Sequence, residues 1–320
     1  MFICTIFDQR PNFLARIVEF VIAAISERFQ FPALFDFHRL CFMSSKSIAN
    51  LEEIAPGYSV LSVEHPKCSA QVALHGAHVM SWCPTGQEEV LYLSPDAVYR
   101  EGKAIRGGIP ICWPWFNAHP SDSDLPSHGL VRNQFWELES TDVDDDGVVA
   151  TLRRTSENWI AMATIRMGRS LEVSLESTNL ADQELLISGA LHSYFRVGDV
   201  REITINGLED TDYLDTVGEH TVRHQTGVIR IDREVDRYYE SSGPVRLEDP
   251  VKKRSIVVEK EASPSTVVWN PWTEKAAALG DLPDEDYLAF ACIEAAITND
   301  RAVALSKGET HRFSTRISVE

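Results

Sequence analysis

The feature that most constrains the fold is a succession of short apolar–polar alternating runs broken by Gly, Pro, Asn and Asp. It starts near residue 58: "YSVLSVEH", "CSAQVALHGAHVMSW", "EVLYLS", "GVVATLRR", "AMATIRMG", "SLEVSLEST", "ELLISGALHSYF", "EITINGL", "VIRI", "SIVVEK" and "STVVWN". Strict alternation is the mark of half-buried antiparallel strands. In "SLEVSLES", Leu171, Val173 and Leu175 share one face, and Glu172, Ser174 and Glu176 the other. After residue 50 a helical period is read only around Pro271–Leu279. So many short strands predict an all-β fold, a large sandwich.

Residues 1–45 differ in character and are expected to be an extension outside that core, with residues 46–320 forming the sandwich domain. Within the extension Phe13, Ile17, Phe20, Val21 and Ala24 recur at helical spacing, so a helix is expected there. The run "FLARIVEFVIAAI" is interrupted by Arg16 and Glu19 and is shorter than the ~20 apolar residues of a membrane span. It also lacks the cleavage pattern of a signal peptide.

The chain carries 48 acidic against 30 basic residues, a formal charge of −18. Its field repels nucleic acid and anionic membranes, so an anionic ligand needs a local arginine cluster. Neither class of partner is expected. Cys4, Cys41, Cys68, Cys83, Cys112 and Cys292 are scattered, without metal-ligand spacing. They read as reduced core thiols of a cytoplasmic protein with no metal site. No nucleotide-binding glycine motif and no zinc-protease motif occurs, so no cofactor is expected.

Against this background several polar residues stand out. Glu294 sits in "YLAFACIEAAI", where an ionised carboxylate costs several kcal/mol unless paired or facing a cavity. Such surroundings raise a carboxyl pKa toward neutrality, as a general base requires. In "ALHSYF", alternation puts His192 and Tyr194 on one face, either lining a polar concavity or packed as a hydrogen-bonded core pair. Arg106 precedes two glycines in "RGGIPICWPWF", which allow close backbone approach to a ligand. Trp113, Trp115 and Phe116 follow, to stack on a sugar if exposed or to join the core if buried. In "SHGLVRNQFWEL", His128 and Arg132 share a face at i and i+4 if the segment enters a strand. Guanidinium groups suit carboxylate or phosphate. Asp236 in "DREVDRYY" is either a site carboxylate or an ion-pair partner of Arg233 or Arg237.

"RGGIPICWPWF", "SHGLVRNQFWEL", "ALHSYFRVGD", "DREVDRYY", "VVWNPWTEKA" and "CIEAA" occur in the order found in hexose-6-phosphate mutarotases, the glucose-6-phosphate 1-epimerases. From about residue 50 to its end the chain resembles that family. The resemblance implies a galactose-mutarotase-like β-supersandwich that interconverts the α and β anomers of hexose 6-phosphates by acid/base ring opening, as a monomer. It further implies His192 as catalytic acid, Glu294 as catalytic base, and Arg106, Ser127, Arg132 and Asp236 as substrate-binding positions. His128 corresponds to a histidine that positions the sugar in the wider aldose epimerase group. Asp215 in "YLDT" is the alternative to Asp236, and Ser127 stands where many relatives carry glutamine. The same acid and base would serve an aldose 1-epimerase acting on free sugars, and a non-catalytic sugar-phosphate-binding module is the remaining alternative.

Overall fold

A computed structural model describes residues 48–320. The helix expected over residues 13–24 lies outside the described residues, as do Cys4 and Cys41. The described chain is built on two antiparallel sheets of eight strands each, joined by a four-stranded sheet and a two-stranded one. One large sheet runs Thr204–Asn206, Val245–Asp249, Arg254–Glu261, Thr310–Val319, Leu171–Asn179, Trp159–Gly168, Gly147–Thr155 and Glu137–Asp144. The other runs Thr221–His224, Asp212–Asp215, Val235–Tyr239, Ser265–Asn270, Phe290–Ile297, Gly189–Leu191 and Ile111–Cys112, with Tyr194–Arg196 also paired to Phe290–Ile297. The four-stranded sheet is a meander of Ile48–Ala55, Tyr58–His65, Cys68–Ala73 and His78–Pro84.

Alternation works as the sequence predicts. Leu171, Val173 and Leu175 are fully buried, and Glu172 and Glu176 are not. Their strand adds its apolar face to one core with Val148, Ala150, Leu152, Ile165, Ile256 and Phe313. Ile293, Ala295 and Ile297 enter the same core from the other large sheet. Cys68, Cys112 and Cys292 are buried as small core residues. Among the described residues no helix is long and apolar enough to cross a membrane. The helical period near Pro271 corresponds to an α-helix at Trp272–Ala277.

Three expectations need correction. "EVLYLS" and "VIRI" are not strands: they hold single bridges, Leu91–Phe195, Leu93–Gly107 and Ile229–Ile205. "ELLISGALHSYF" is three short strands, Leu185–Ile187, Gly189–Leu191 and Tyr194–Arg196, because the chain leaves the two-stranded sheet at Ser188 and its ladder on Phe290–Ile297 breaks at His192 and Ser193. "SHGLVRN" does not enter a strand. His128 and Gly129 take left-handed backbone angles (φ 64° and 76°), and Val131–Asn133 is a turn of 3₁₀ helix. His128 and Arg132 therefore meet through a loop, not through strand periodicity. The cause is close backbone approach: a Cβ on Gly129 would lie 2.0 Å from the Trp113 carbonyl oxygen.

Candidate active site

Register places the site on one face of a sheet. Tyr238 pairs with Val267, and Val267 with Glu294. The pairings Leu191–Ala295 and Tyr194–Cys292 belong to one register, which sets His192 opposite Glu294. The neighbouring row on the same face is Asp236, Trp269, Cys292 and Tyr194. Side chains two residues apart along each strand thus converge over a shared floor.

Above that floor lies a cavity of about 370 Å³ lined by Arg106, Ser127, His128, Arg132, His192, Asp236 and Glu294. All seven residues singled out in the sequence meet here. Asn117, Tyr194, Tyr238, Trp269 and Lys275 line it too. Asp215 is not among the lining residues; it lies 3.3 Å from Arg223. Trp113, Trp115 and Phe116 are buried, and of the three only Phe116 reaches the cavity wall.

His192 Nε2 stands 3.4 Å from Glu294 Oε1, with the Glu294 side chain 1% exposed. Burial, and then the nearby Asp236, push the Glu294 carboxyl well above the usual carboxylate range, with Arg132 opposing. Burial, followed by the charges of His128, Arg132 and Arg106, holds the His192 imidazole well below its ordinary value. The two shifts favour one proton on the pair as a whole: a second proton would leave a charge on the buried imidazole, and loss of the last would leave one on the buried carboxyl.

His192 is framed by rings. Tyr194 stacks on it, 4.7 Å between centroids and 9° between planes, while Trp269 and His128 meet it edge-on at 5.8 and 6.0 Å. The Asn117 backbone N–H donates to His128 Nδ1 at 3.3 Å, which leaves the His128 proton on Nε2 as a donor. Burial, then Arg132 and Arg106, lower the His128 pKa to about 3, so that ring is neutral.

The cations are held differently. Arg106 donates from Nε to Asp281 Oδ1 at 3.0 Å and from Nη1 to the Tyr194 hydroxyl at 3.1 Å. Although burial works against its charge, Tyr194 and Asp281 raise its pKa. The glycines after it are needed for approach: a Cβ on Gly107 would lie 2.4 Å from the Tyr92 carbonyl oxygen, and one on Gly108 2.2 Å from that of Val79. Arg132 donates from Nη2 to the Ser127 carbonyl at 2.9 Å, and its buried Nε has no partner. Among the described residues no carboxylate pairs with it. Lys275 Nζ lies 3.1 Å from Glu234 Oε1 and 3.8 Å from Asp236 Oδ2. Burial raises the Asp236 pKa, and Lys275 counters it.

Lys275, Trp269 and Tyr238 were not singled out in the sequence. Trp269 could have been found by register, lying two residues from Val267 in a run already read as a strand, whereas Tyr238, two residues from Asp236, lies in a segment not read as one. Lys275 carries no local signal, because its helix reaches the cavity only through the tertiary fold. Among the described residues no cluster of His, Cys, Asp and Glu could hold a metal ion.

A family model described as aldose 1-epimerase matches residues 59–318. The chain is 34% identical over 280 residues to an Escherichia coli protein named "Putative glucose-6-phosphate 1-epimerase", covering 82% of this chain and 93% of that one. A plant relative of the same name, from Cenchrus ciliaris, is 34% identical over 271 residues, covering 78% and 81%. Among solved structures, a Salmonella typhimurium protein described as a "putative mutarotase" superposes with a TM-score of 0.80 at 30% identity, covering 93% of this chain and 99% of its own. A galactose 1-epimerase from Lactobacillus acidophilus shares the fold, with a TM-score of 0.67 at 14% identity over 87% of this chain and 99% of its own.

Proposed function

Since the chain belongs to the aldose 1-epimerase family, whose chemistry is anomer interconversion, we propose that its substrates are hexose 6-phosphates, with His192 and Glu294 as acid and base. The observation that carries the phosphate is Arg132. It is a guanidinium lining the cavity, with a buried unpartnered Nε and, among the described residues, no salt bridge to a carboxylate. In a chain of net charge −18 an anion must be held by such a local cation. Arg106 on the same wall supplies a second fork of donors suited to phosphate oxygens. The printed names of the E. coli and Cenchrus relatives agree with this reading.

The chemistry follows from the one-proton pair. Both shifts favour the resting proton on Glu294, so ring opening starts once it has crossed the 3.4 Å contact to His192 Nε2. Glu294 removes the proton of the C1 hydroxyl, the C1–O5 bond breaks, and O5 takes the imidazolium proton. The resulting aldehyde turns about C1–C2, and O5 then attacks its opposite face. In closure Glu294 returns a proton to the carbonyl oxygen, and His192 takes back the one on O5. The pair holds one proton at both ends of the cycle, so no proton need come from solvent. Positioned proton transfer of this kind is typically worth about 10² to 10⁴ in rate. The neutral His128 can donate from Nε2 to a sugar oxygen, and Asp236 can accept from a hydroxyl.

The test is anomer exchange of glucose 6-phosphate followed by NMR saturation transfer, with free glucose in parallel and Glu294→Gln as control. Wild type should accelerate exchange of the phosphate ester strongly and of free glucose weakly, and Glu294→Gln should accelerate neither. Equal acceleration of both sugars would replace this reading by an epimerase of free aldoses. Acceleration of neither would leave a sugar-phosphate-binding module.

A further inference from the structure

From the ring and hydrogen-bond geometry, we infer that Tyr194 is the positioning residue of His192 and couples the proposed phosphate arginine, Arg106, to the imidazole. The inference rests on the hexose-6-phosphate reading for its coupling half alone. His192 has an acid to deliver from Nε2, yet its Nδ1 is buried without a hydrogen-bond partner. A catalytic imidazole is commonly oriented by a bond at the other nitrogen, and here none fixes the plane. The near-parallel Tyr194 ring fills that role, against edge-on Trp269 and His128. Tyr194 itself is held at its far end, where Arg106 Nη1 donates to the hydroxyl and Asp281 anchors the same guanidinium. Its own strand, Tyr194–Arg196, pairs with Phe290–Ile297, which carries Glu294, so the phenol, the imidazole and the carboxylate share one backbone frame.

An anion bound to Arg106 therefore acts on the guanidinium that fixes the ring beneath the imidazole. Phosphate binding stiffens the acid as well as holding the substrate. Binding energy from a remote group is then realised in the chemical step, and it should appear in kcat and not in KM alone.

Two variants test this, each with glucose 6-phosphate and with glucose. Tyr194→Leu removes the stack, and kcat with glucose 6-phosphate should fall about ten-fold, the size of an aromatic stack, with little change in KM. Tyr194→Phe keeps the ring and the packing but frees it from Arg106. On glucose its kcat should exceed that of Tyr194→Leu several-fold, while the kcat advantage of the phosphate ester over glucose falls below that of wild type. A Tyr194→Leu enzyme with wild-type kcat would overturn the positioning role, and Tyr194→Phe with an unchanged kcat advantage would overturn the coupling. If Tyr194→Leu does not fold, Tyr194→Met takes its place as the variant without a ring, a wild-type kcat in it refuting the positioning, and Tyr194→Phe alone carries the coupling, an unchanged kcat advantage refuting it. If wild type treats the two sugars alike, the phosphate reading fails and only the glucose comparison of Tyr194→Leu with Tyr194→Phe bears on positioning.

Discussion

His192 Nε2 and Glu294 Oε1 stand 3.4 Å apart where the ladder on the Phe290–Ile297 strand is interrupted, on side chains that are 9% and 1% exposed. At that distance in a buried setting the two groups titrate as a unit, and macroscopic pKa values belong to the pair. Burial disfavours charge on either member when it is alone, so the form with one shared proton is widened at both ends of the pH scale. In the proposed mechanism that is the form that opens and closes the hemiacetal ring.

The pH dependence should show this widening. An independent carboxylate base and imidazolium acid would be active only between their ordinary values, about 4.3 and 6.5. Here the second proton joins the pair only below the depressed His192 value, and the last one leaves only above the raised Glu294 value. The profile of kcat/KM, corrected for the second ionisation of the phosphate ester near pH ~6, should be broader than the bell those two ordinary values would set. A narrow bell centred between the two ordinary values would rule the coupled pair out.

Replacing the base separates stability from activity. Glu294→Gln keeps the shape and removes the buried ionisable carboxyl, so acceleration of anomer exchange should fall about 10² to 10⁴-fold. Stability should move the other way. The folded wild-type pair holds one proton, and the unfolded chain also holds one between about pH 4.3 and 6.5 and none above it, so wild-type stability is flat in that window and declines above it. In Glu294→Gln the folded pair position holds none, so stability rises up to about pH 6.5 and is then flat. The variant's advantage over wild type should therefore grow with pH, by about 1.4 kcal/mol for each unit within the range of the shift. Urea melts at pH 5 and pH 8 would read it directly. An advantage independent of pH would mean that the carboxyl is not held protonated.

Lys275 should act through Asp236. Removing its charge with Lys275→Met leaves Asp236 with the burial that raises its pKa and without the cation that opposes it. A protonated Asp236 donates where a carboxylate would accept. KM for the sugar is expected to rise about ten-fold, the worth of one charge-assisted hydrogen bond, and to recover as pH rises and Asp236 ionises. Lys275→Arg keeps the charge and should stay near wild type. A KM unchanged by Lys275→Met at every pH would exclude the lysine from this role.

The strands and the site chemistry were legible in the sequence for different reasons. Alternation is a local signal: Leu171, Val173 and Leu175 declare a buried face without reference to any other segment. Glu294 was legible because a carboxylate among Ala, Cys and Ile has few inexpensive explanations, and the structure buries it. His192, Arg106, Arg132 and Asp236 were ambiguous one by one and became a set only through their order along the chain. The loop carrying His128 was misread as a strand entry, since its conformation is dictated by the carbonyl of Trp113, fifteen residues earlier. Lys275 and the Tyr194–Arg106 bond depend on contacts between distant segments, which no periodicity reports.

That loop makes the last prediction. Gly129 has φ 76°, and a Cβ there would lie 2.0 Å from the Trp113 carbonyl oxygen and 2.3 Å from its carbon. Gly57 has a similar φ of 72° but nothing within 4 Å of the Cβ position. Gly57→Ala should therefore cost only the left-handed backbone strain, about 1 to 2 kcal/mol. Gly129→Ala carries the same strain and must also push the loop away from Trp113–Asn117. That moves His128, whose backbone N–H donates to the Asn117 carbonyl at 2.7 Å and whose Nδ1 accepts from the Asn117 N–H. The expected result is a clearly larger loss of Tm than in Gly57→Ala, together with a fall in kcat/KM of order 10²-fold, the usual penalty for displacing a substrate-positioning group by about 1 Å. Equal melting temperatures and intact activity in the two variants would mean that the Trp113 carbonyl does not hold the loop, and that His128 finds its place by some other contact.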